Sequence, residues 1–149
     1  MGILIEDKQD SYAISLSHLE KQAQVVLNAL DSPDSELSIL LLDDAQIAVL
    51  NRDYLHREGP TNVIAFPMRE GDFSDLHPEL LGDVVISLET ADKEGQVAGI
   101  SMEARLAELL VHGILHLFGY DHEVSDAEAQ RMEVKSKALL KQIRSIHEG

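Results

Sequence analysis

The sequence has no cysteine, which excludes disulfides and thiolate metal ligation, so any metal must be held by nitrogen and oxygen. No apolar run is long enough to cross a bilayer. The longest, in the region Leu109 to Phe118, is short and is interrupted by two histidines. No basic segment followed by a longer apolar run opens the chain either; MGILIEDKQD turns acidic within a few positions, so the expectation is a cytoplasmic protein with no membrane partner. Basic residues are scarce: 12 Lys+Arg stand against 27 Asp+Glu, a formal net charge of −15. A uniformly acidic surface repels a phosphate backbone. Association follows the local field, however, and a divalent cation with a few basic residues in one cleft outweighs distant acids screened over about 10 Å. Repeats, low-complexity tracts and Pro/Gly-rich linkers are also missing. What remains, 149 residues with 44% hydrophobic and 26% charged side chains, predicts one globular domain over residues 1–149 that folds without staples.

Hydrophobic periodicity orders the chain. A short strand is expected near Ile3 to Ile5. Leu16, Leu19, Ala23, Val26, Leu27 and Leu30 then fall at helical spacing with Ser15 or Ser17 as N-cap. Asp31-Ser-Pro-Asp breaks the chain before a buried strand over Leu37 to Leu42. Asp43 caps the next helix, with Ile47, Leu50 and Tyr54 expected inward. After the turn-rich HREGPTN comes a short strand, Val63 to Phe66, which Pro67 ends or confines to a sheet edge. The stretch Arg69 to Leu80 reads as a polar loop, Gly82 to Leu88 as a strand, and Thr90 to Val97 as a helix stopped by Gly99. Ser101 caps a strong helix with Leu106, Leu109, Leu110, Ile114 and Leu117 inward and Gly119 as its stop. Ser125-Asp-Ala-Glu128 has capping-box spacing and opens a last helix with Met132, Leu139, Ile143 and Ile146 on one face. About four strands among helices predict an α+β fold with a small mixed sheet.

The segment His112-Gly-Ile-Leu-His116-Leu-Phe-Gly119-Tyr-Asp-His122 carries the chemistry. Two histidines four residues apart share one helix face, so both imidazoles reach a common point. Gly119 can take a left-handed conformation that ends the helix and returns the chain, bringing His122 toward the same ion. Three histidines at these offsets are expected by chance only about 0.014 times in such a chain. Three satisfied core histidines are the bland alternative, and each would need a hydrogen-bond partner in apolar surroundings. The expectation is one zinc ion held by His112, His116 and His122.

Three protein ligands leave one tetrahedral position for water, the arrangement of a catalytic zinc; a structural zinc would take a fourth ligand such as Asp121 or Glu123. Nickel, iron and copper also suit imidazole. The spacing equals that of the long metalloprotease motif, except that Gly113 stands where the protease carries its glutamate base.

The run HGILHLFGYDH resembles the signature H-G-x-L-H-L-x-G-Y-D-H of the YbeY family of rRNA-maturation endoribonucleases. The resemblance extends through Leu50-Asn-Arg-Asp-Tyr54, Pro60-Thr-Asn-Val-Ile-Ala-Phe-Pro67 and Leu81-Gly-Asp-Val-Val-Ile-Ser87, and covers most of the chain from Leu37 to His122. It implies a zinc-dependent, single-strand-specific ribonuclease with an α+β fold, acting in 16S rRNA 3′-end processing and ribosome quality control, with the three histidines as ligands. Its partners would be rRNA precursor and the ribosome.

Three positions depart from the family's pattern. Leu55 stands where an arginine is common, Asn62 replaces an aspartate, and Ala65 replaces a serine. Arg57 is the nearest guanidinium to Leu55 and is the candidate phosphate contact, since its planar fork suits bidentate binding; a solvated loop charge is the alternative. Glu108, Asp121 and Glu123 are candidate acceptors behind the imidazoles, against the commoner role of surface carboxylates. No general base is identified. Two other functions fit the residues: a ribosome-assembly binding module with a structural zinc, and a zinc hydrolase of another class such as a peptidase.

Overall fold

The computed structural model describes residues 2–68, 80–121 and 123–148, the last three without their side chains. Among the described residues four strands form one sheet in the order β1-β2-β4-β3. They are β1 (Ile3–Asp7), β2 (Glu36–Leu42), β3 (Val63–Pro67) and β4 (Leu80–Ser87). β1, β2 and β4 run parallel and β3 is antiparallel to β4, so the sheet is mixed. The inner strands β2 and β4 read as near-continuous Leu, Ile and Val because both of their faces are covered. Among the described residues the helices are α1 (Leu16–Ala29), α2 (Asp44–Leu55), α3 (Leu88–Ala98), α4 (Met102–Leu117) and α5 (Asp126–Glu148).

The strand period of two divides the core. Leu37, Ile39, Leu41, Val84 and Ile86 pack with α1, α3, α4 and α5, whereas Leu42, Ile64 and Val85 pack with Ile47 of α2. α4 is buried on most sides, through nine residues from Leu106 to Leu117, as befits a helix apolar nearly all round. α2 buries only Ile47 and Asn51.

Side chains fix the helix starts. Ser15 accepts from His18 N, Asp43 forms a reciprocal box with Gln46, Ser87 accepts from Thr90 N, and Ser101 accepts from Ala104 N. Each satisfies a donor that the first helical turn leaves without a partner. Two expectations are corrected. Tyr54 is 64% exposed: α2 buries its first half through Ile47 and, near its end, only Asn51, and the Tyr54 ring meets Phe66 edge-on with centroids 5.7 Å apart. Leu88 opens α3 instead of closing β4, because the Ser87 cap starts the helix there. The expected polar loop falls almost wholly on 69–79, outside the described residues, as does the side chain of Ile146.

β3 forms one edge of the sheet. Ser87 N donates to Asn62 O and Met68 N to Leu81 O, both at 3.0 Å. Even-numbered residues of β3 therefore turn their backbone groups toward β4, and Val63, Ala65 and Pro67 turn theirs to the open edge. Proline at an outward position breaks no ladder bond.

Candidate metal centre and cleft

α4 carries His112 and His116 on one face, half-buried, with their Nε2 atoms 3.1 Å apart. The rings lie 4.6 Å apart, centroid to centroid, and are inclined by 72°. Two nitrogens on a tetrahedral zinc, each about 2.05 Å from it, are separated by about 3.3 Å. The pair thus has the donor type and nearly the spacing of two zinc ligands. His122 lies outside the described residues, and among the described residues no set of three His, Asp or Glu side chains converges to hold a metal.

The position of α4 depends on Gly113. A Cβ there would stand 2.6 Å from Val84 Cγ1 and 3.2 Å from Val63 Cγ2, and buried, β-branched Val84 has little freedom to swing aside. The helix rests on β3 and β4 at the residue between the histidines. A side chain where the metalloproteases place their glutamate would force Val84 or the helix to shift, so packing at this position favours glycine over that base.

Past Leu117 the chain turns sharply. Gly119 N donates to His116 O and Tyr120 N to Leu115 O, both at 3.0 Å, with Gly119 at φ +94°: the paired closing bonds of a Schellman turn. Asp121 Oδ1 then accepts from Glu123 N at 2.8 Å, bracketing position 122. From α5, the Arg131 guanidinium sits 4.4 Å from the Tyr120 ring centroid and pairs with Glu128 at 3.2 Å. The hydrogen bond to Tyr120 and the charge of Glu128 hold its pKa above the ordinary value. The turn is therefore clamped by the first part of α5.

The histidines open into a cleft of roughly 580 Å³ whose other wall is the end of α2 and β3. His56, in the left-handed conformation at φ 57°, closes α2, and Arg57 N donates back to Asn51 O at 3.2 Å. Buried Asn51 also donates from Nδ2 to Gly59 O at 2.9 Å. This staple turns Arg57 into the cleft lining, where its exposed side chain makes no ion pair among the described residues. Sequence reading did not single out Asn51, although a polar residue on the buried stripe of an amphipathic helix was a usable signal.

Of the other acidic candidates, Asp121 and Glu123 line the cleft. Glu108 does not: it pairs with Arg105 at 2.8 Å. Arg105 also holds Glu94 at 3.0 Å, and Asn62 donates from Nδ2 to Glu94 Oε1 at 3.2 Å. Burial alone would lower the Arg105 pKa; the two carboxylates outweigh it and raise the value. Asp83 faces the α2 side of the sheet beside Ser38; burial pushes its carboxyl up against the Ser38 hydrogen bond. Neither Asp83 nor Thr61 lines the cleft.

Comparison with known proteins decides the family. The family model for Endoribonuclease YbeY matches residues 4–144. The chain belongs to the YbeY family. It is 50% identical over 140 residues to the Endoribonuclease YbeY of Geobacter sulfurreducens, covering 93% of each chain. It is 49% identical over 146 residues to that of Syntrophotalea carbinolica, covering 97% of each, and 41% identical over 124 residues to that of Aquifex aeolicus, covering 83% of this chain and 81% of the other. The fold matches the solution structure of TM1509 from Thermotoga maritima with a TM-score of 0.69 at 24% identity, over 98% of this chain and 91% of the other. Against the YbeY pattern, the three departures Leu55, Asn62 and Ala65 all line the one cleft that holds the histidines and Arg57.

Proposed function

We propose that the chain is a zinc-dependent, single-strand-specific endoribonuclease acting in 16S rRNA 3′-end maturation and ribosome quality control in the cytoplasm. One observation carries the reading: two imidazole nitrogens 3.1 Å apart line the same cleft as a guanidinium without an ion pair among the described residues. Membership of a family of endoribonucleases supports RNA as the substrate class.

His112 and His116 would hold the metal, with His122 as the third ligand the sequence offers. When bound, zinc supplies Lewis acidity and activates water near neutral pH, and its two charges turn a lining of one guanidinium and two carboxylates from net −1 to net +1. Arg57 binds a phosphate through its fork and stabilises the extra negative charge that develops as phosphorus is attacked. The Schellman turn and the Asp121 bond hold the backbone that flanks His122. Packing at Gly113 favours glycine over the protease base, which disfavours the peptidase alternative.

The test is elemental analysis of purified protein together with cleavage of a single-stranded RNA. His116→Ala should stay folded by circular dichroism, lose its zinc, and lose activity by more than about 100-fold, since even residues behind metal ligands cost up to about that factor. Equal cleavage by both proteins would assign the activity to a contaminant and leave a ribosome-assembly binding module as the better reading.

A further inference from the structure

The outward edge of β3 forms part of the cleft, because Val63, Ala65 and Pro67 all line it. Strand register leaves these residues' backbone groups pointing away from β4. A free edge is a template for pairing, and this one is nearly closed. Val63 N–H is taken by its neighbour, donating to Asn62 Oδ1 at 2.7 Å, and Asn62 in turn donates to Glu94, which Arg105 holds. Pro67 has no N–H. What remains is the Ala65 N–H, the carbonyls of Val63 and Ala65 on either side of it and the Pro67 carbonyl beyond, none of them hydrogen-bonded among the described residues.

An extended peptide added to a sheet needs a repeating alternation of donors and acceptors along the edge. A single donor is too short a run for that, whereas the N–H and C=O of Ala65, side by side, suit the adjacent acceptor and donor of a single planar base. Every nucleobase carries a ring or carbonyl acceptor next to an N–H donor on its Watson–Crick edge, and single-stranded RNA is read by hydrogen bonds to such exposed edges. Leu55, 40% exposed and lining the same cleft, offers an apolar surface against which a base face can lie. The small Ala65 side chain adds little bulk to this wall.

We propose that the open edge of β3, through the adjacent N–H and C=O of Ala65, pairs with an acceptor and a donor side by side on the Watson–Crick edge of one unpaired nucleobase of the RNA strand lying in the cleft. This rests on the ribonuclease reading and deepens it: the enzyme demands a single strand at this subsite because a base in a duplex has no such edge to offer. The base is positioned by backbone groups, so the preference sits in the strand itself and no side chain of β3 reveals it in the sequence.

Ala65→Pro tests the pairing, because it removes the outward N–H while leaving the β4 ladder intact, as Pro67 already does two residues on. The substrate is a short single-stranded RNA in which each nucleotide in turn is made abasic, assayed with the wild-type zinc-loaded protein and with the variant. For the wild type, one position should stand out, where base removal raises KM about tenfold, the scale of one or two lost hydrogen bonds. In Ala65→Pro the ratio of abasic to intact KM at that position should fall to near one. The proposal is overturned if no position is sensitive in the wild type, a result that needs no variant. It is equally overturned if folded Ala65→Pro keeps the tenfold ratio, or if an extended peptide displaces RNA from the wild type but not from Ala65→Pro. Wild-type protein that binds zinc but cuts no RNA at all would instead remove the ribonuclease reading, and this pairing with it.

Discussion

α4 and α2 deliver their side chains to one cleft by opposite means. α4 presents two imidazoles from within the core, fixed by nine buried residues and by backbone-close contact at Gly113. α2 buries two residues and presents Arg57 from beyond its left-handed end, on a long side chain in solvent. Two nitrogens that must converge on one ion tolerate displacements of only about half an ångström. A single charged fork seeking a phosphate tolerates more, because its own torsions make up the difference. Precision has been placed in the core, and reach at its margin.

The comparison can be broken at either helix. Among variants that keep both histidines, the largest effect is expected for Arg57→Ala: RNA cleavage should fall roughly 100-fold, as for loss of one preorganised donor, while thermal unfolding stays unchanged because the side chain is exposed. A change in melting temperature without a change in rate would reverse the roles given to the two helices. Next comes Gly113→Ala. Overpacking against Val84 outweighs the gain in helix propensity and should cost about 2 kcal/mol in denaturant unfolding. Zinc affinity should fall with it, since the helix must lift off the sheet.

Asp44→Asn sharpens the contrast by loosening the fixed end of α2. Burial alone pushes the Asp44 carboxyl up, but hydrogen bonds from Ser87, Thr90 and Lys93 prevail and hold its pKa below the usual value. Ser87 Oγ donates at 2.6 Å and Thr90 Oγ1 at 2.5 Å, while the exposed Lys93 adds little. The unfolded chain therefore takes up this proton first as pH falls. The stabilisation is complete above the ordinary carboxylate range, near pH 4, and disappears as pH drops through the depressed folded value. Asp44→Asn should cost about 1 kcal/mol at pH 7 and flatten this part of the acid unfolding profile; an unchanged profile would remove Asp44 from the anchor. The smallest effect is expected for Leu55→Arg, which adds a second guanidinium to the cleft wall: KM for RNA should fall a few-fold at low salt and by less at high salt. A salt-independent change would point to packing.

Local patterns were largely legible. Ser15, Asp43 and Ser101 cap where the residues predicted, the inward stripe of α4 holds and that of α1 holds from Leu19 to Leu27 although Leu16 is exposed, because caps and periodicity are written within a few residues of where they act. Tyr54 faces solvent instead of the core because the helical period gives the inward side of α2 but not how far along the helix that side stays covered. The order β1-β2-β4-β3 and the free edge of β3 depend on pairings between distant segments, which no local pattern encodes. In the cleft, the histidine spacing and the nearness of Arg57 to Leu55 could be read from the chain. Asn51 could be picked out as a polar residue on a buried stripe, but its bond to Gly59, like the Glu94–Arg105 pair with Asn62 and Glu108, could not be read, because those partners are chosen by the folded shape.

The contact between Gly113 and Val84 makes these two residues a single allotment of volume shared by a helix and a strand. A methyl group gained by one can be surrendered by the other: Val84→Ala should restore much of what Gly113→Ala removes, a coupling that a double-mutant cycle would register as strong non-additivity. The distance from the histidine pair to the sheet is thereby adjustable through one pair of positions, without touching any residue that meets metal or RNA.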